Sequence, residues 1–264
     1  MSLVAEKPLS YALRENARVI AALVVRNAVS RFGDSRIGFV WILLEPALYV
    51  SVYVLAHTFL RAKLPFGDNA MLFILAGIFG FRMSRGIARK VEGAISRNHA
   101  LLTYPLVRPM DTIVAAFLLE ATIWLIICGL FIFGLGVALD RTIIAYPQEL
   151  AGCLLAIFYF AFSCATFNAM VGTLVPRYLM LIGMVNMPLM FISGVFFLPA
   201  NFPPDLQWYI SWNPFLHCVE WFRTATYLDY QPVLDKGYLL SVASGLLVIG
   251  LGMERFLRNR IINA

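Results

Sequence analysis

Charge is scarce in this chain: Asp, Glu, Lys and Arg together make up 14% of its 264 residues, against roughly 25% in an average soluble domain. Apolar residues make up 61% instead. Because much of any folded surface must face water, a globule of this size cannot hide that much hydrocarbon, and a water-soluble fold is excluded. Metal-ligand spacing is missing too. Cys128, Cys153, Cys164 and Cys218 form no CxxC pair and the first three stand in apolar runs, which argues against a zinc site and a disulfide framework. None of His57, His99 and His217 has a second histidine at ligand spacing, and no phosphate-binding P-loop, HExxH pair or GxSxG elbow occurs. The chain carries no motif for hydrolysing ATP and no catalytic signature, so any energised work needs a partner's motor. Base-stacking patterns that would argue for a nucleic-acid partner are also absent.

What the sequence has is long apolar runs. Roughly 20 residues at 1.5 Å rise cross about 30 Å of hydrocarbon, and six runs qualify: 37–60, 70–88, 110–139, 150–175, 178–198 and 237–254. They predict an all-α membrane protein of six transmembrane helices, with both termini on one side. In the second run only Ala70 to Phe81 is uninterrupted, so that helix must continue through Arg82 and Arg85, their side chains reaching headgroups or water. Of the 21 Lys and Arg, only Arg61, Lys63, Arg141, Arg223 and Lys236 fall in segments assigned to the outside. The positive-inside bias therefore puts the termini and the 89–109 loop in the cytoplasm and the 199–236 segment outside. The basic first 36 residues lack a cleavage site of signal-peptide type, which predicts a retained amino terminus.

Two segments outside the spans carry patterns of their own. Leu9, Leu13, Ala17, Ile20 and Val24 recur at helical spacing opposite Arg14, Glu15 and Arg18, which predicts an amphipathic helix on the inner membrane face within a cytoplasmic segment 1–36. An ordinary basic flank that sets topology is the alternative. Segment 199–236 holds Pro199, Pro203, Pro204, Pro214 and Pro232 among nine aromatics. Pro204 and Pro214 suit first helical positions and Asn213 suits a cap, predicting two outer half-helices of about 8 and 14 residues, too short to cross. This hairpin either dips toward the mouth of a channel or lies as an aromatic belt at the interface.

Candidate substrate-path residues follow from the same physics. Glu45 and Glu120 lie inside spans, where a lone carboxylate costs about 2.5–3.5 kcal/mol or more; each lines a wet path or gate, or pairs with an Arg or hydroxyl to lock two helices. Arg82, Arg85 and Arg89, at i, i+3 and i+7, are expected on one stripe that draws in an anion by bidentate contact or binds lipid phosphates. Trp208, Tyr209 and Trp212 offer faces on which sugar rings stack while their hydroxyls stay wet.

Three stretches, Arg31 to Leu48 (RFGDSRIGFVWILLEPAL), Asn98 to Asp111 (NHALLTYPLVRPMD) and Phe191 to Arg223 (FISGVFFLPANFPPDLQWYISWNPFLHCVEWFR), resemble the membrane subunits of type-2 ABC exporters. The Trp-x3-Glu-Pro arrangement of Trp41, Glu45 and Pro46 is similar to the capsule-polysaccharide branch. The resemblance implies a permease domain over 37–264, an interface helix at 9–32, half-helices at 204–212 and 214–228, and an ATPase-coupling segment within 91–104. Arg97, Asn98, His99, Leu101 and Leu102 are its coupling candidates.

It also implies a homodimer in a bacterial inner membrane, joined by two ATP-binding subunits that hold the ATP and Mg²⁺, with periplasmic and outer-membrane export components beyond. The chain itself is expected to bind no cofactor or metal. Its cargo would be an acidic polysaccharide with a glycolipid terminus. Export of O-antigen, teichoic acid, lipid or a drug by the same superfamily is the alternative, followed by a lone channel or secondary carrier in which Glu45 or Glu120 titrates.

Overall fold

A computed structural model describes residues 9–32, 44, 48, 51, 52, 55, 66, 67, 69–104, 106–140 and 142–263. All regular structure among the described residues is helical. The first predicted span, 37–60, and Glu45 lie outside the described residues except at a few isolated positions.

Helix α1 (Leu9–Phe32) precedes α2 (Ala70–Phe81), which runs through a π-helical turn (Arg82–Gly86) into α3 (Ile87–Val91). Asn69 starts α2 by taking the Met71 and Leu72 N–H groups on its side-chain oxygen, at 2.9 and 3.3 Å, the role for which a short amide side chain is suited. After the short α4 (Ala94–Arg97) comes α5 (Pro109–Leu139), then α6 (Pro147–Leu174). Both begin on proline, whose missing N–H costs nothing in a first turn. Helices α7 (Pro176–Met184), α8 (Asn186–Ile192), α9 (Pro204–Ser211), α10 (Pro214–Thr226) and α11 (Lys236–Asn263) complete the order.

Four stretches are long and apolar enough to cross a membrane: Met71–Val91, Pro109–Leu139, Pro147–Leu174 and Lys236–Arg258. They fall on four of the six predicted runs. The predicted span 178–198 is not one helix: α7 and α8 meet at Val185, and the apolar stretch Arg177–Ile192 is shorter than a crossing needs. Pro188 supplies the physical reason, since it has no N–H for the Met184 carbonyl four residues back and its ring crowds that carbonyl.

The core lies where α2, α6 and α10 meet. Phe73, Phe79, Phe160, Met170 and Val219 are fully or almost fully buried. Helices α10 and α11 both pack on α6, and α1 packs on α5. By contrast, Leu125, Phe133 and Val137 of α5 and Val248 and Phe256 of α11 are exposed, as expected of surfaces whose solvent is hydrocarbon.

Candidate functional site

The Arg82–Val91 end of the α2–α3 rod is built around a buried arginine. A π turn holds an extra residue per turn and rotates everything after it, and Ser84 takes up the slack by donating to the Gly80 and Phe81 carbonyls at 2.8 and 2.9 Å. The three arginines therefore do not share one exposure. Arg85 is only 2% exposed, Arg82 is half-buried and Arg89 is exposed. Arg85 Nη1 donates to Glu92 Oε2 at 3.1 Å, and Asn168 Nδ2 donates to the same oxygen at 3.0 Å. Tyr178 closes the network by donating to Asn168 Oδ1 at 2.7 Å. This chain of bonds ties the rod to α6 and α7 and satisfies a charge pair that burial would otherwise make costly.

Glu120 sits 6% exposed on α5. Arg31 Nη1 of α1 donates to its Oε1, and Lys90 Nζ stands 3.6 Å from its Oε2. The carboxylate thus meets its desolvation cost with two cations from two other elements. Helix α5 has 31 residues, about 46 Å at 1.5 Å each, more than the ~30 Å of hydrocarbon requires.

The segment that follows α3 turns back on itself as a tight platform. Arg97 Nη2 donates to the Lys90 carbonyl, Asn98 Nδ2 to the Ala94 carbonyl at 2.7 Å, and Leu102 is buried. Leu101 is half-buried, whereas Arg97, His99, Ala100, Tyr104 and Leu106 are exposed. Of the predicted coupling residues, Asn98 and Leu102 hold the platform together from inside, while Arg97 and His99 lie on its surface.

At the opposite end of the bundle, α9 and α10 form a hairpin. The Asn213 side chain accepts from Phe215 N–H at 3.1 Å and donates to Ser193 at 2.9 Å. Trp208, Tyr209 and Trp212 are 58%, 67% and 60% exposed, with Trp208 edge-on to both neighbours at 5.1 and 5.7 Å between centroids. His217 stands behind them. Its Nδ1 accepts from Asp235 N–H at 3.1 Å and its Nε2 donates to the Ser211 carbonyl at 2.8 Å. Burial pushes its pKa below the ordinary imidazole value.

Beneath the hairpin, Arg223 and Glu220 are fully buried 3.3 Å apart. Arg223 also donates to the Val195 and Phe197 carbonyls at 2.9 and 3.2 Å. Tyr230 donates to Glu220 Oε1 at 2.8 Å and Val233 N–H to Oε2 at 3.0 Å. Burial pushes the Glu220 carboxyl above its usual pKa, against the lowering effect of Arg223 and Tyr230.

The family model for the ABC-2 type transporter matches residues 18–227. The chain belongs to the ABC-2 type transporter family. It is similar to the capsule polysaccharide export inner-membrane protein CtrC of Neisseria meningitidis serogroup B, 32% identical over 249 residues, 89% of each chain. It is likewise similar to the capsule polysaccharide export inner-membrane protein BexB of Haemophilus influenzae, 30% identical over 242 residues and 90% of each chain. The polysialic acid transport protein KpsM of Escherichia coli is 28% identical over 238 residues, 89% of this chain and 92% of that one.

Within this ABC-2 transporter, the sequence pairs Glu120 with an Arg or hydroxyl as one of two options but does not identify Arg31, nor a lysine such as Lys90, as its partner, and Glu92, Asn168, Glu220 and Arg223 were missed. Glu220 and Arg223 stand at i, i+3 in an aromatic run, a spacing that could have announced the pair. Glu92 and Asn168 are 76 positions apart, and no local pattern joins them. Tyr104 and Leu106, the large exposed apolar side chains at the end of the platform, were legible as loop residues without being marked as a contact.

Proposed function

We propose that this chain is the membrane-embedded permease subunit of an ATP-driven exporter that carries capsular polysaccharide out across the inner membrane. The observation that carries the reading is the match of nine-tenths of the chain to relatives named for capsule polysaccharide export, along nearly their whole length. The physical arrangement supports it. Four long apolar helices stand between a basic helical platform at one end and an exposed aromatic hairpin at the other.

In this reading two copies pair to enclose the path, with both termini in the cytoplasm and six crossings in each, the broken α7–α8 pair and the residues after it together making one of them. Two separate subunits bind ATP and Mg²⁺ and press on the 91–104 platform, where Arg97, His99 and Tyr104, with Leu106 just beyond it, meet them. Arg85, Glu92 and Asn168 transmit that push, because a satisfied buried network moves as a rigid unit. Trp208, Tyr209 and Trp212 offer stacking faces to a glycan leaving on the outer side. The cargo is an acidic polymer with a lipid terminus, handed on to periplasmic and outer-membrane components. Glu120, held by Arg31 and Lys90, suits a structural clamp better than the titrating carboxylate of a proton-coupled carrier.

Deletion of this chain alone in its host tests the reading, with polysaccharide assayed on the surface and inside the cell. Intracellular accumulation with loss of surface polymer, reversed by the intact chain, is the expected result. Normal surface polymer in the deletion strain overturns it.

A further inference from the structure

A cavity of about 160 Å³ opens between the α9–α10 hairpin and the first turn of α11, lined by Trp208, Ser211, Trp212, His217, Asp235 and Tyr238. Three of its walls are aromatic. The ring centroids of Trp208 and Trp212 lie 5.7 Å apart at 80°, and those of Trp212 and Tyr238 lie 6.4 Å apart at 79°. Rings so nearly perpendicular meet at corners instead of stacking. The Tyr238 hydroxyl fixes the third wall to the second by donating to the Trp212 carbonyl at 2.7 Å, so the enclosure is set before a ligand enters.

The charge in these walls has one sign. Asp235 Oδ1 caps α11 by accepting from the Tyr238 N–H at 2.8 Å, and the carboxylate has no ion-pair partner among the described residues. His217 brings no cation at neutral pH: burial lowers its pKa, and both ring nitrogens are bonded to backbone. The next residue, Lys236, is committed elsewhere. Its Nζ donates to both oxygens of Glu149, at 3.0 and 2.7 Å, and stands 4.8 Å from the centre of the Trp221 ring. That neighbouring contact is an ammonium held between one carboxylate and one indole. The cavity repeats those surroundings with a second indole and a phenol added, and no lysine or arginine among the described residues lines it. Aromatic faces present the negative part of their quadrupole, so together with a carboxylate they attract a cation and repel an anion. A sugar ring stacks on one open face, whereas walls that meet at corners enclose a rounded group.

We propose that this cavity is a cage for an alkylammonium cation, with Trp208, Trp212 and Tyr238 as its walls and Asp235 as its counter-charge. The stretch Lys236–Arg258 is long enough to cross a membrane, which sets the cage at the end of a crossing, where headgroups lie. The ammonium of an ethanolamine headgroup and a free alkylammonium ion share the chemistry that fits. Tyr209 is not among the lining residues, and the cage does not rest on the export reading.

The purified full chain in phosphatidylglycerol nanodiscs, whose lipid has no ammonium, is titrated with choline, with neohexyl alcohol, the uncharged isostere in which carbon replaces the choline nitrogen, and with glucose. Saturation-transfer NMR reads the bound ligand. Choline binds the natural chain about tenfold more tightly than neohexyl alcohol or glucose, the scale expected of a cation over several ring faces. Asp235→Asn keeps an acceptor for the Tyr238 N–H, since asparagine caps helices as well as aspartate does. It weakens choline about tenfold and leaves neohexyl alcohol unchanged. Trp212→Ala removes a wall and weakens both ligands.

Nanodiscs with increasing phosphatidylethanolamine separate the sources. Displacement of choline by that lipid identifies the headgroup, and displacement by soluble ethanolamine alone identifies the free cation; either supports the cage. Equal binding of choline and neohexyl alcohol, preferred binding of glucose, or choline binding by Asp235→Asn that matches the natural chain overturns it. The surface-polymer assay of the deletion strain decides the export reading independently of all these titrations.

Discussion

The guanidinium carbon of Arg223 lies 3.9 Å from the centre of the Phe73 ring. This contact joins the α9–α10 hairpin to α2, and Arg223 adds its pair with Glu220 and two backbone carbonyls in the same buried pocket. Removing one member leaves the other charge buried and unpaired, which costs about 3–5 kcal/mol. Glu220→Gln keeps the shape and removes the charge. Its expected outcome is a large drop in the thermal midpoint of the detergent-solubilised protein, while Trp212→Ala, on the exposed face, leaves the midpoint unchanged. Equal midpoints for Glu220→Gln and the natural chain would sink the keystone role.

The same hairpin approaches α2 through a missing side chain. A Cβ on Gly80 would stand 2.7 Å from Val219 Cα and 2.9 Å from the Cys218 carbonyl oxygen. Both are backbone atoms and cannot swing aside. Gly80→Ala is expected to destabilise the fold by about 1–3 kcal/mol, the usual cost of overpacking, despite alanine's better helix propensity. Gly129, where a Cβ meets nothing within 4 Å, provides the control: Gly129→Ala leaves the melting curve unchanged or raises it.

His217 gives the hairpin a pH dependence. In the neutral ring both nitrogens are satisfied, one as acceptor and one as donor, and protonation would turn the acceptor toward the Asp235 N–H as a second donor. Because burial lowers the folded-state pKa below the ordinary 6.5, the unfolded chain binds the proton more readily. Stability from this group is therefore present above pH 6.5 and is lost as pH falls toward the lowered value. Melting curves between pH 8 and pH 5 should show that slope, and His217→Gln should flatten it. A natural chain and variant with identical slopes would exclude His217 as the sensor.

Much of this fold was legible because hydrocarbon thickness and backbone satisfaction constrain sequence so tightly. The runs at 110–139 and 150–175 correspond to α5 and α6 almost residue for residue. Pro204, Asn213 and Pro214 mark the starts of α9 and α10 through local chemistry alone. What was not legible depends on contacts distant in the chain or on a break in regular geometry. The spacing of Arg82, Arg85 and Arg89 implies a stripe only if the helix stays α; the π turn rotates Arg85 inward onto Glu92. Val195 and Phe197, between α8 and α9, carry the carbonyls that accept from Arg223 without any sequence sign of it.

On the platform that follows α3, the exposed residues separate contact from scaffold. Tyr104 and Leu106 project from a loop whose Leu102 is buried. If an ATPase subunit docks here, Leu106→Asp lowers ATPase stimulation in the reconstituted complex several-fold with membrane insertion intact, and Arg97→Glu does the same by reversing a surface charge. Leu102→Asp instead lowers the yield of folded chain. Unchanged stimulation in Leu106→Asp and Arg97→Glu would move the docking site elsewhere.

Arg85 and Glu92 allow the transmission role to be separated from simple stability. Replacing either one by Met strands a buried charge and is expected to destabilise by about 3–5 kcal/mol, whereas replacing both removes the desolvation cost together with the attraction and recovers most of the loss. The double variant thus provides a folded protein without the charge pair, in which Asn168 has lost its Glu92 acceptor and Tyr178 keeps only its bond to Asn168. If the network carries motion from the platform to α6 and α7, this variant inserts, melts near the natural temperature and binds its ATPase, yet export falls at least tenfold. Full export by the double variant would show that the pair serves folding alone.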